Sequence, residues 1–180
     1  MDHDLTLLTG ENRNLILQTA ELIAELTAEQ YQRQHSALGS NSLGEHVRHL
    51  IEHYEALLGS GSGVDYDRRQ RNPDPQRSIA AARRRLDGLC DELEALAETA
   101  RADAPMALHY HPDDGASEAE LRLATTVARE LAFVASHTLH HMALIRMLAV
   151  HMGVEPSAEF GVARATRVQG SGRMPTAQAG

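Results

Sequence analysis

Apolar residues recur at helical spacing in four separate stretches of this chain, and this pattern constrains the fold more than any other feature. The stretches are residues 11–34, a segment between Ser42 and Gly59, a segment that starts at Asp74, and residues 126–152. Each has a single apolar stripe, and such helices bury their stripes against one another. The chain has no Trp, four Tyr and two Phe, so Ala and Leu supply most of the core and favour helices over a β-sandwich. The sequence therefore predicts an all-α fold, a single-domain four-helix bundle.

Three of the stretches begin with residues that cap helices. Ser42 and Glu45 form the Ser-x-x-Glu pattern of a capping box, in which each side chain bonds the backbone amide of the other residue. Asp74 followed by Pro75 is a typical N-cap and first-turn pair. Thr126 is a suitable N-cap for the fourth helix. These residues predict where the second, third and fourth helices start.

The segments between the helices are predicted to be irregular. Gly and Ser fill residues 59–63, and Pro interrupts residues 102–116, which indicates loops. Residues 121–125 fit either an extended segment or an early helical turn, and the pattern does not decide between them. We expect the bundle to occupy residues 1–168 and a disordered tail to follow at 169–180.

The composition excludes several classes of function. The formal net charge is -8, whereas nucleic-acid binders need clustered Lys and Arg, so we expect no nucleic-acid partner. No apolar run reaches the roughly 20 residues that span a bilayer, and the acidic N-terminus lacks the features of a signal peptide. Cys90 is the single cysteine, which excludes an internal disulfide and a Cys-rich zinc site. We therefore expect a cytoplasmic protein with no membrane partner.

The chain has 11 histidines, and two groups of them fall on predicted helices. His137 and His141 are four residues apart on the fourth helix, so they lie on one face, one turn apart. The same face carries the apolar stripe, so both point into the bundle, whereas His140 lies near its rim. Two imidazoles at this spacing can bind one metal ion, and a third from another helix would complete an open site. Alternatively, both are buried histidines that bond backbone carbonyls or carboxylates.

The second helix carries the other group, His46, His49 and His53. Helical spacing places His46 and His53 nearer the apolar stripe than His49, so periodicity favours one of those two as the third ligand. Glu130, near the stripe of the fourth helix, is either a partner that orients a metal-bound imidazole or a carboxylate at the helix start. The remaining histidines are interpreted as surface or loop residues, and they include His35, His109, His111 and His151.

The donor set narrows the choice of metal. Around these histidines there is no His-Glu-x-x-His motif, no Glu-x-x-His of the di-iron bundles and no Cys-x-x-Cys-His for haem. Three neutral imidazoles with an open position suit zinc, nickel or iron(II), and the order of intrinsic affinities does not say which ion is bound.

Five short segments are specific in combination: GEHVRH at 44–49, YDRRQR at 66–71, REL at 129–131, SHTLHH at 136–141 and EFGVA at 159–163. Together they resemble the DinB-like (DinB/YfiT) superfamily of metal-dependent enzymes. The resemblance implies a four-helix bundle with a divalent metal, bound by one histidine of the second helix and two of the fourth. Carried over to this sequence, the ligands are His49, His137 and His141, with His46 and His53 as the alternatives to His49.

The resemblance also implies a function. Characterised members transfer small bacterial thiols or use them in isomerisation, so the expected activity is that of a metal-dependent hydrolase or thiol S-transferase. The expected partner is a small-molecule substrate, such as a low-molecular-weight thiol, and a homodimer is common in similar proteins. Arg69 or Arg71 would lie near an anionic substrate group, or else in a salt-bridge network with Asp65, Asp67 or Glu130. The alternative function is non-catalytic, a metal-binding or stress-response bundle that acts as a sensor, buffer or dimeric scaffold.

Overall fold

The structure is a computed structural model, and it describes residues 2–36, 40–61, 63–112 and 119–162. The chain is mostly helical, at 62%, and a small three-stranded sheet adjoins the helices. In chain order the elements are α1 (His3–Ala24), α2 (Ala28–Gln32), α3 (Leu43–Leu58), β1 (Gly63–Asp65), α4 (Asp74–Arg77), α5 (Ile79–Thr99), β2 (Pro105–Tyr110), β3 (Leu121–Thr126) and α6 (Val127–His151).

The long helices α1, α3, α5 and α6 form a bundle in which each helix packs against two others. α1 contacts α5 and α6, and α3 contacts the same two helices. Their inward residues form one apolar core, which is how helices with a single apolar stripe become stable. The fully buried side chains include Ile16, Ile23, Leu50, Leu86, Leu93, Leu131 and Ile145. The predicted four-helix bundle is therefore present.

The small sheet corrects the prediction of an all-α fold. β2 pairs with β1 in parallel and with β3 in antiparallel orientation, so the strand order is β1-β2-β3. β2 lies inside residues 102–116, which the sequence predicts as a loop, and residues 121–125 belong to β3. Both strands are short and are held by hydrogen bonds to segments that are not adjacent in sequence, which a local pattern does not reveal.

The two helices that carry the histidine groups begin where the sequence predicts. The Ser42 hydroxyl accepts a hydrogen bond from the Glu45 amide at 3.2 Å, and the Glu45 carboxylate accepts one from the Ser42 amide at 2.7 Å. At α6, the Thr126 hydroxyl accepts a hydrogen bond from the Arg129 amide at 3.3 Å. These side chains satisfy backbone N–H groups that have no partner within the helix, and so they fix the first turn of both helices.

The first predicted helix, residues 11–34, is two helices in the structure. α1 begins earlier than predicted, because the Asp2 carboxylate accepts hydrogen bonds from two amides of the first turn. A second capping box, formed by Thr27 and Gln30, starts α2. Thr and Gln three residues apart therefore mark a new helix start inside what looks like one continuous apolar pattern.

The third long helix, α5, starts later than the sequence predicts. Asp74 and Pro75 lie in the first turn of the short helix α4, with Pro73 at the N-cap position. Ser78 then caps α5, because its hydroxyl accepts a hydrogen bond from the amide of Ala81 at 3.2 Å. The Asp-Pro pair therefore starts a helix of 4 residues rather than the long bundle helix.

After α6 the chain turns back onto the bundle. Phe160 packs into the core, and Arg146 of α6 donates a hydrogen bond to its carbonyl at 2.7 Å. The predicted tail at 169–180 lies outside the described residues, and the domain boundary at residue 168 stays a prediction. Within the described part of the chain, no helix is both long and apolar enough to cross a bilayer.

The start of α3 packs tightly against its neighbours around Gly44. Beside it, the Tyr31 hydroxyl donates a hydrogen bond to the Pro75 carbonyl at 2.6 Å. A Cβ atom at Gly44 would overlap the backbone carbonyl oxygen of Gln76 and lie 2.8 Å from Cε1 of Tyr31. Because a backbone carbonyl cannot move aside easily, only glycine allows this close approach.

We expect Gly44→Ala to lower the free energy of unfolding by about 1–3 kcal/mol, because overpacking has a cost of this size. Gly10→Ala is the matched control: Gly10 is exposed inside α1, and a Cβ there meets nothing within 4 Å. Alanine at this position should raise the free energy by about 0.5–1 kcal/mol through helix propensity. Urea denaturation measures both values, and a Gly44→Ala protein as stable as wild type would show that the contact tolerates a side chain.

Candidate metal centre

Five histidines meet where α3 packs against α6. His46, His49 and His53 come from α3, and His137 and His141 come from α6. His46, His53 and His141 are buried, whereas His49 and His137 are half-buried. The rings of both α6 histidines contact the ring of His49. The prediction that this pair faces into the bundle is therefore confirmed.

The cluster contains two pairs at the same helical spacing. His49 and His53 are four residues apart on α3, so they lie on one face. His137 and His141 repeat this spacing on α6. Across the helix interface, the ring centroid of His137 lies 4.0 Å from that of His53 and 5.1 Å from that of His49. The repeated spacing is the sequence signal that would have pointed to His53 together with His49.

Three of these side chains are close enough to share one ion. One nitrogen from each of His49, His53 and His137 lies within 4.8 Å of the others. The Nε2 atoms of His49 and His137 are 3.0 Å apart, near the ~3.3 Å that a tetrahedral ion with bonds of about 2.0–2.1 Å sets between two ligands. The described residues thus contain a three-histidine cluster that could bind a metal ion.

His141 lies beside this group of three. Its ring centroid is 4.4 Å from that of His49 and 4.6 Å from that of His137, and its Nδ1 is 3.1 Å from Nδ1 of His46. His140 is exposed, which agrees with its predicted position near the rim of the inward face of α6. The structure therefore brings all three predicted ligands and both alternatives into one cluster, and which of them bind a metal stays a prediction.

Two hydrogen bonds orient the imidazoles of α3. Nδ1 of His53 donates to the backbone carbonyl of His49 at 2.9 Å. This bond leaves Nε2 of His53 free as a ligand, the usual arrangement around a metal-bound histidine. Nδ1 of His49 accepts a hydrogen bond from Nη2 of Arg69 at 2.8 Å. Because a guanidinium only donates, the neutral ring of His49 carries its proton on Nε2.

Burial keeps these imidazoles neutral. It lowers the pKa of His53 to about 4 and the pKa of His141 to about 3. Burial also lowers the pKa of His49 to about 2, and repulsion from neighbouring histidines and Arg69 contributes. The pKa of His137 is lowered as well, first by burial. At neutral pH the cluster therefore offers uncharged imidazoles, the form that binds metal ions.

Arg69 connects the cluster to a buried carboxylate. Its Nη1 donates to the carbonyl of Tyr66 at 2.6 Å, and its Nε lies 3.4 Å from Oε2 of Glu52. Glu52 is 1% exposed and also lies 3.3 Å from Nε of Arg48. Removing one partner from a buried ion pair leaves an uncompensated charge, which is strongly destabilising. The carboxylate therefore holds Arg69 against His49.

The carboxylate partner of Arg69 is not among the predicted ones. The sequence favours three acidic partners: Asp65, Asp67 and Glu130. In the structure the arginine pairs with Glu52. Arg48 and Glu52 are four residues apart on α3, a spacing typical of helical ion pairs, and this spacing would have pointed to the right carboxylate. Arg71, the other predicted arginine, is exposed.

Glu130 affects the cluster through an aromatic ring. It is fully buried and accepts hydrogen bonds from the hydroxyls of Tyr66, at 2.9 Å, and Thr125, at 2.6 Å. Nη1 of Arg129 pairs with it at 2.7 Å. The ring of Tyr66 is stacked on that of His53, with centroids 5.5 Å apart. Glu130 therefore orients the tyrosine that covers an imidazole, rather than an imidazole itself.

Phe133 is the second aromatic residue that packs over a histidine of the cluster. Its ring is stacked on that of His137, with centroids 6.0 Å apart, and lies 5.0 Å from that of Tyr66. Phe133 comes four residues before His137 on α6, so helical spacing is the signal for this contact. The two aromatic rings together exclude water from one side of the cluster.

Four further histidines are predicted to be surface or loop residues. His151 is exposed, whereas His35, in the loop before α3, is buried, and the two rings meet edge-on at 5.2 Å. His109 and His111 are half-buried, and each is paired with a carboxylate, at 2.5 and 2.9 Å. His35 therefore lies in a loop, as predicted, but it is buried because the fold brings the end of α6 against that loop. His109 departs from the prediction, because it lies in β2 and is half-buried.

Comparison with known proteins assigns this chain to a family. A family model described as the DinB superfamily matches residues 16–145. FK506-binding protein 5 of Rhizopus delemar is 26% identical over 103 residues, which are 57% of this chain and 26% of that protein, so the chain spans about a quarter of its relative's length. No solved structure matches the chain significantly. The family model covers most of the chain and all five histidines of the cluster, and this confirms that the chain belongs to the DinB superfamily.

Proposed function

We propose that this chain is a metal-dependent enzyme of the hydrolase or thiol S-transferase type. The supporting observation is the group of neutral imidazoles between α3 and α6, in which nitrogens of His49, His53 and His137 lie within 4.8 Å of one another. Catalytic metal sites typically use three protein ligands and keep one position open. Burying so many imidazoles costs hydration, and coordination of an ion would offset that cost.

The donor set fits a divalent ion that prefers imidazole. Nitrogen ligands without a thiolate suit zinc, nickel or iron(II) rather than magnesium or calcium, which prefer oxygen. When bound, such an ion supplies Lewis acidity, which lowers the pKa of water or of a thiol. Elemental analysis of protein made without an affinity tag identifies the ion.

The residues around the cluster have separate roles in this proposal. The histidines would hold the ion, and Arg69, which is paired with Glu52, would place a positive charge beside the ring of His49. Tyr66 and Phe133 keep water from one side. His49 and His137 are the half-buried members, so a small substrate would reach the cluster on their side. In thiol transfer, the sulfur loses its proton and bonds to an electrophilic carbon, and the leaving group departs with a proton.

The proposed partners are a small-molecule substrate, such as a low-molecular-weight thiol, and a second copy of this chain in a homodimer. Both proposals rest on the resemblance to the family.

We expect metal-loaded protein to accelerate either ester and amide hydrolysis or the reaction of cysteine or glutathione with a chromogenic electrophile. Chelation of the metal should abolish the acceleration, because the proposed activation of water or of the thiol depends on the ion. Loaded protein that accelerates none of these reactions would count against an enzyme of either type.

We expect His137→Ala to lower metal affinity, because His137 belongs both to the ligands that the resemblance implies and to the group of nearest nitrogens. Loss of a residue that only bonds a ligand lowers affinity ~10–100-fold, and loss of a ligand should lower it at least as much. His140→Ala is the matched control, since His140 is an exposed histidine of the same helix, and its affinity should equal that of wild type. Competition with a chromogenic chelator measures both affinities, and circular dichroism verifies folding. Equal affinities in the two folded variants would contradict the proposed centre.

The same affinity measurement on His53→Ala and His141→Ala decides which of these two histidines is the third ligand. The family resemblance implies His141 beside His49 and His137, whereas the closest group of nitrogens includes His53. Alanine at the true third ligand should lower affinity as much as His137→Ala does. Alanine at the other position should leave most of the affinity, because that ring then only packs against the site.

One observation favours the non-catalytic alternative, a metal sensor, buffer or dimeric scaffold. Nitrogens of three histidines lie within 4.8 Å of one another, and the ring of His141 packs beside them. If that ring moved to become a fourth ligand, it would close the coordination sphere, as in structural sites. Cobalt(II) substitution distinguishes the two cases through its visible absorption spectrum. An open site changes its spectrum when a small thiol is added, and a closed site does not.

We expect the metal-free protein to lose stability as the pH falls below about 6.5, the pKa of an unfolded histidine. His53 and His141 titrate at about 4 and about 3 in the folded state, so the unfolded state binds protons more readily between these values. The stabilising contribution is complete above pH ~6.5 and is lost as the pH falls toward the folded-state values.

Thermal unfolding in the presence of a chelator, from about pH 7.5 to about pH 4.5, measures this loss. His53→Gln should make the melting temperature depend less on pH, because a glutamine does not take up a proton. His140→Gln, at an exposed position, is the control and should keep the wild-type pH dependence. A wild-type melting temperature that does not change over this range would contradict the expectation.

A further inference from the structure

A cleft of about 320 Å³ lies between the sheet and the first turns of α6. Its volume is at the lower end of the range for small-molecule sites, roughly 300–1,000 Å³. Strands β2 and β3 form one wall, and residues of α6 and of the segment after β1 form the other. The cleft is thus built from the sheet that the sequence does not predict.

The wall formed by the strands is apolar and only partly covered. Leu108 of β2 is directly opposite Leu123 of β3, and Tyr110 is opposite Leu121, so these four side chains lie on one face of the sheet. Tyr110 is 46% exposed and Leu123 is 44% exposed, although both line the cleft. Contiguous apolar side chains left open to solvent around a concave site are typical of a binding surface.

The opposite wall is shared with the histidine cluster. Tyr66 and Phe133 line the cleft, and their rings are the two that are stacked on His53 and His137. A molecule in the cleft therefore lies against the same aromatic rings that cover the candidate metal centre. This contact places the cleft next to the candidate centre, with the two aromatic rings between them.

One of the residues that line the cleft is a cation, Arg129. The guanidinium carbon of Arg129 is 5.3 Å from the centroid of the Phe133 ring. Its Nη1 is engaged by Glu130, but the side chain is 54% exposed, and a guanidinium has further N–H donors in a planar fork that matches a carboxylate.

Two other polar residues of the cleft are already bonded. Asp67 accepts a hydrogen bond from the amide of His111 at 3.2 Å, and Nδ1 of His109 is 2.5 Å from a carboxylate oxygen of Glu120. Arg129 is therefore the charged group best placed to receive an anion beside Phe133.

We propose that this cleft binds a small organic anion with an aromatic or branched aliphatic body. The anionic group, a carboxylate, pairs with Arg129, and the apolar body packs on Leu108, Tyr110 and Leu123. That such a molecule is the substrate of the histidine centre rests on the proposed function, whereas its binding in the cleft does not.

The test uses metal-free protein and two probes of equal shape, phenylbutyrate and the neutral phenylbutanol. Isothermal titration calorimetry measures their affinities, and saturation-transfer NMR detects which protons contact the protein. We expect both to bind, and phenylbutyrate to bind about 10-fold or more tightly, because a charge-assisted hydrogen bond contributes an effect of this size. Arg129→Gln should remove the advantage of the acid over the alcohol. Because Arg129 also pairs with buried Glu130, the ratio of the two affinities is compared within this variant, and circular dichroism verifies that it folds.

Leu123→Asp tests the apolar wall, and Leu17→Asp on α1 is its matched control. Both leucines are 44% exposed, so an aspartate at either position adds a charge at the surface without opening the core. We expect Leu123→Asp to weaken both probes about 10-fold or more and Leu17→Asp to weaken neither. Circular dichroism and melting temperature verify that both variants fold.

Three results would overturn the proposal: no binding of either probe to wild-type protein, an advantage of the acid over the alcohol that is absent or unchanged by Arg129→Gln, or phenylbutyrate affinity unchanged by Leu123→Asp. Because these measurements use metal-free protein, a failure of the cleft is distinct from a failure of the metal centre. If the probes bind as expected and loaded protein is active but is not inhibited by them, the cleft stands as a binding site and its role as the substrate site is refuted. Loaded protein without activity refutes the proposed function instead.

Discussion

The packing of α3 against α6 takes five imidazoles wholly or partly out of water, and the rest of the site depends on how that desolvation is offset. A buried polar group without a partner is costly, so each ring has to find one. His53 donates to a backbone carbonyl, the Nδ1 atoms of His46 and His141 are within hydrogen-bond distance, and His49 lies between Arg69 and a ring of α6. The same burial keeps the rings uncharged, so one constraint produces both their contacts and their ability to bind a cation.

A buried polar network fixes the rotation of the two helices. The Tyr54 hydroxyl donates a hydrogen bond to Oδ1 of Asn12 at 2.8 Å and accepts one from the Thr138 hydroxyl at 3.2 Å. Nδ2 of Asn12 donates to the carbonyl of Leu131 at 3.2 Å. Tyr54 follows His53 in sequence, and Thr138 follows His137. The network therefore ties α1, α3 and α6 together at the level of the histidines and holds their rings in register, as fully satisfied buried networks do.

The sequence was sufficient for features that depend on local chemistry. The capping box at Ser42 and the cap at Thr126 predicted the starts of α3 and α6, and the spacing of His137 and His141 predicted their inward direction. Features that depend on distant contacts were not predictable in this way. The strands β2 and β3 exist because they pair with each other and with β1, and Glu52 is a buried carboxylate only because the chain after β1 brings Arg69 to it. The grouping of His49 with His53 is a third case. Periodicity favoured His46 or His53 and the family resemblance implied His49, but neither indicated that His49 and His53 lie in one group with His137.

Arg69 and a metal ion cannot both use the same tautomer of His49. While the guanidinium donates to Nδ1, the proton of the ring is on Nε2, the nitrogen that faces His137. If an ion bound that nitrogen, the proton would have to be on Nδ1, where it would meet an N–H group of Arg69. The guanidinium would then lose this hydrogen bond but keep its contacts with Tyr66 and Glu52, so one N–H donor beside His49 would be left without an acceptor. By thermodynamic linkage, an anion that accepted from this donor would strengthen ion binding by the same factor by which the ion would strengthen anion binding.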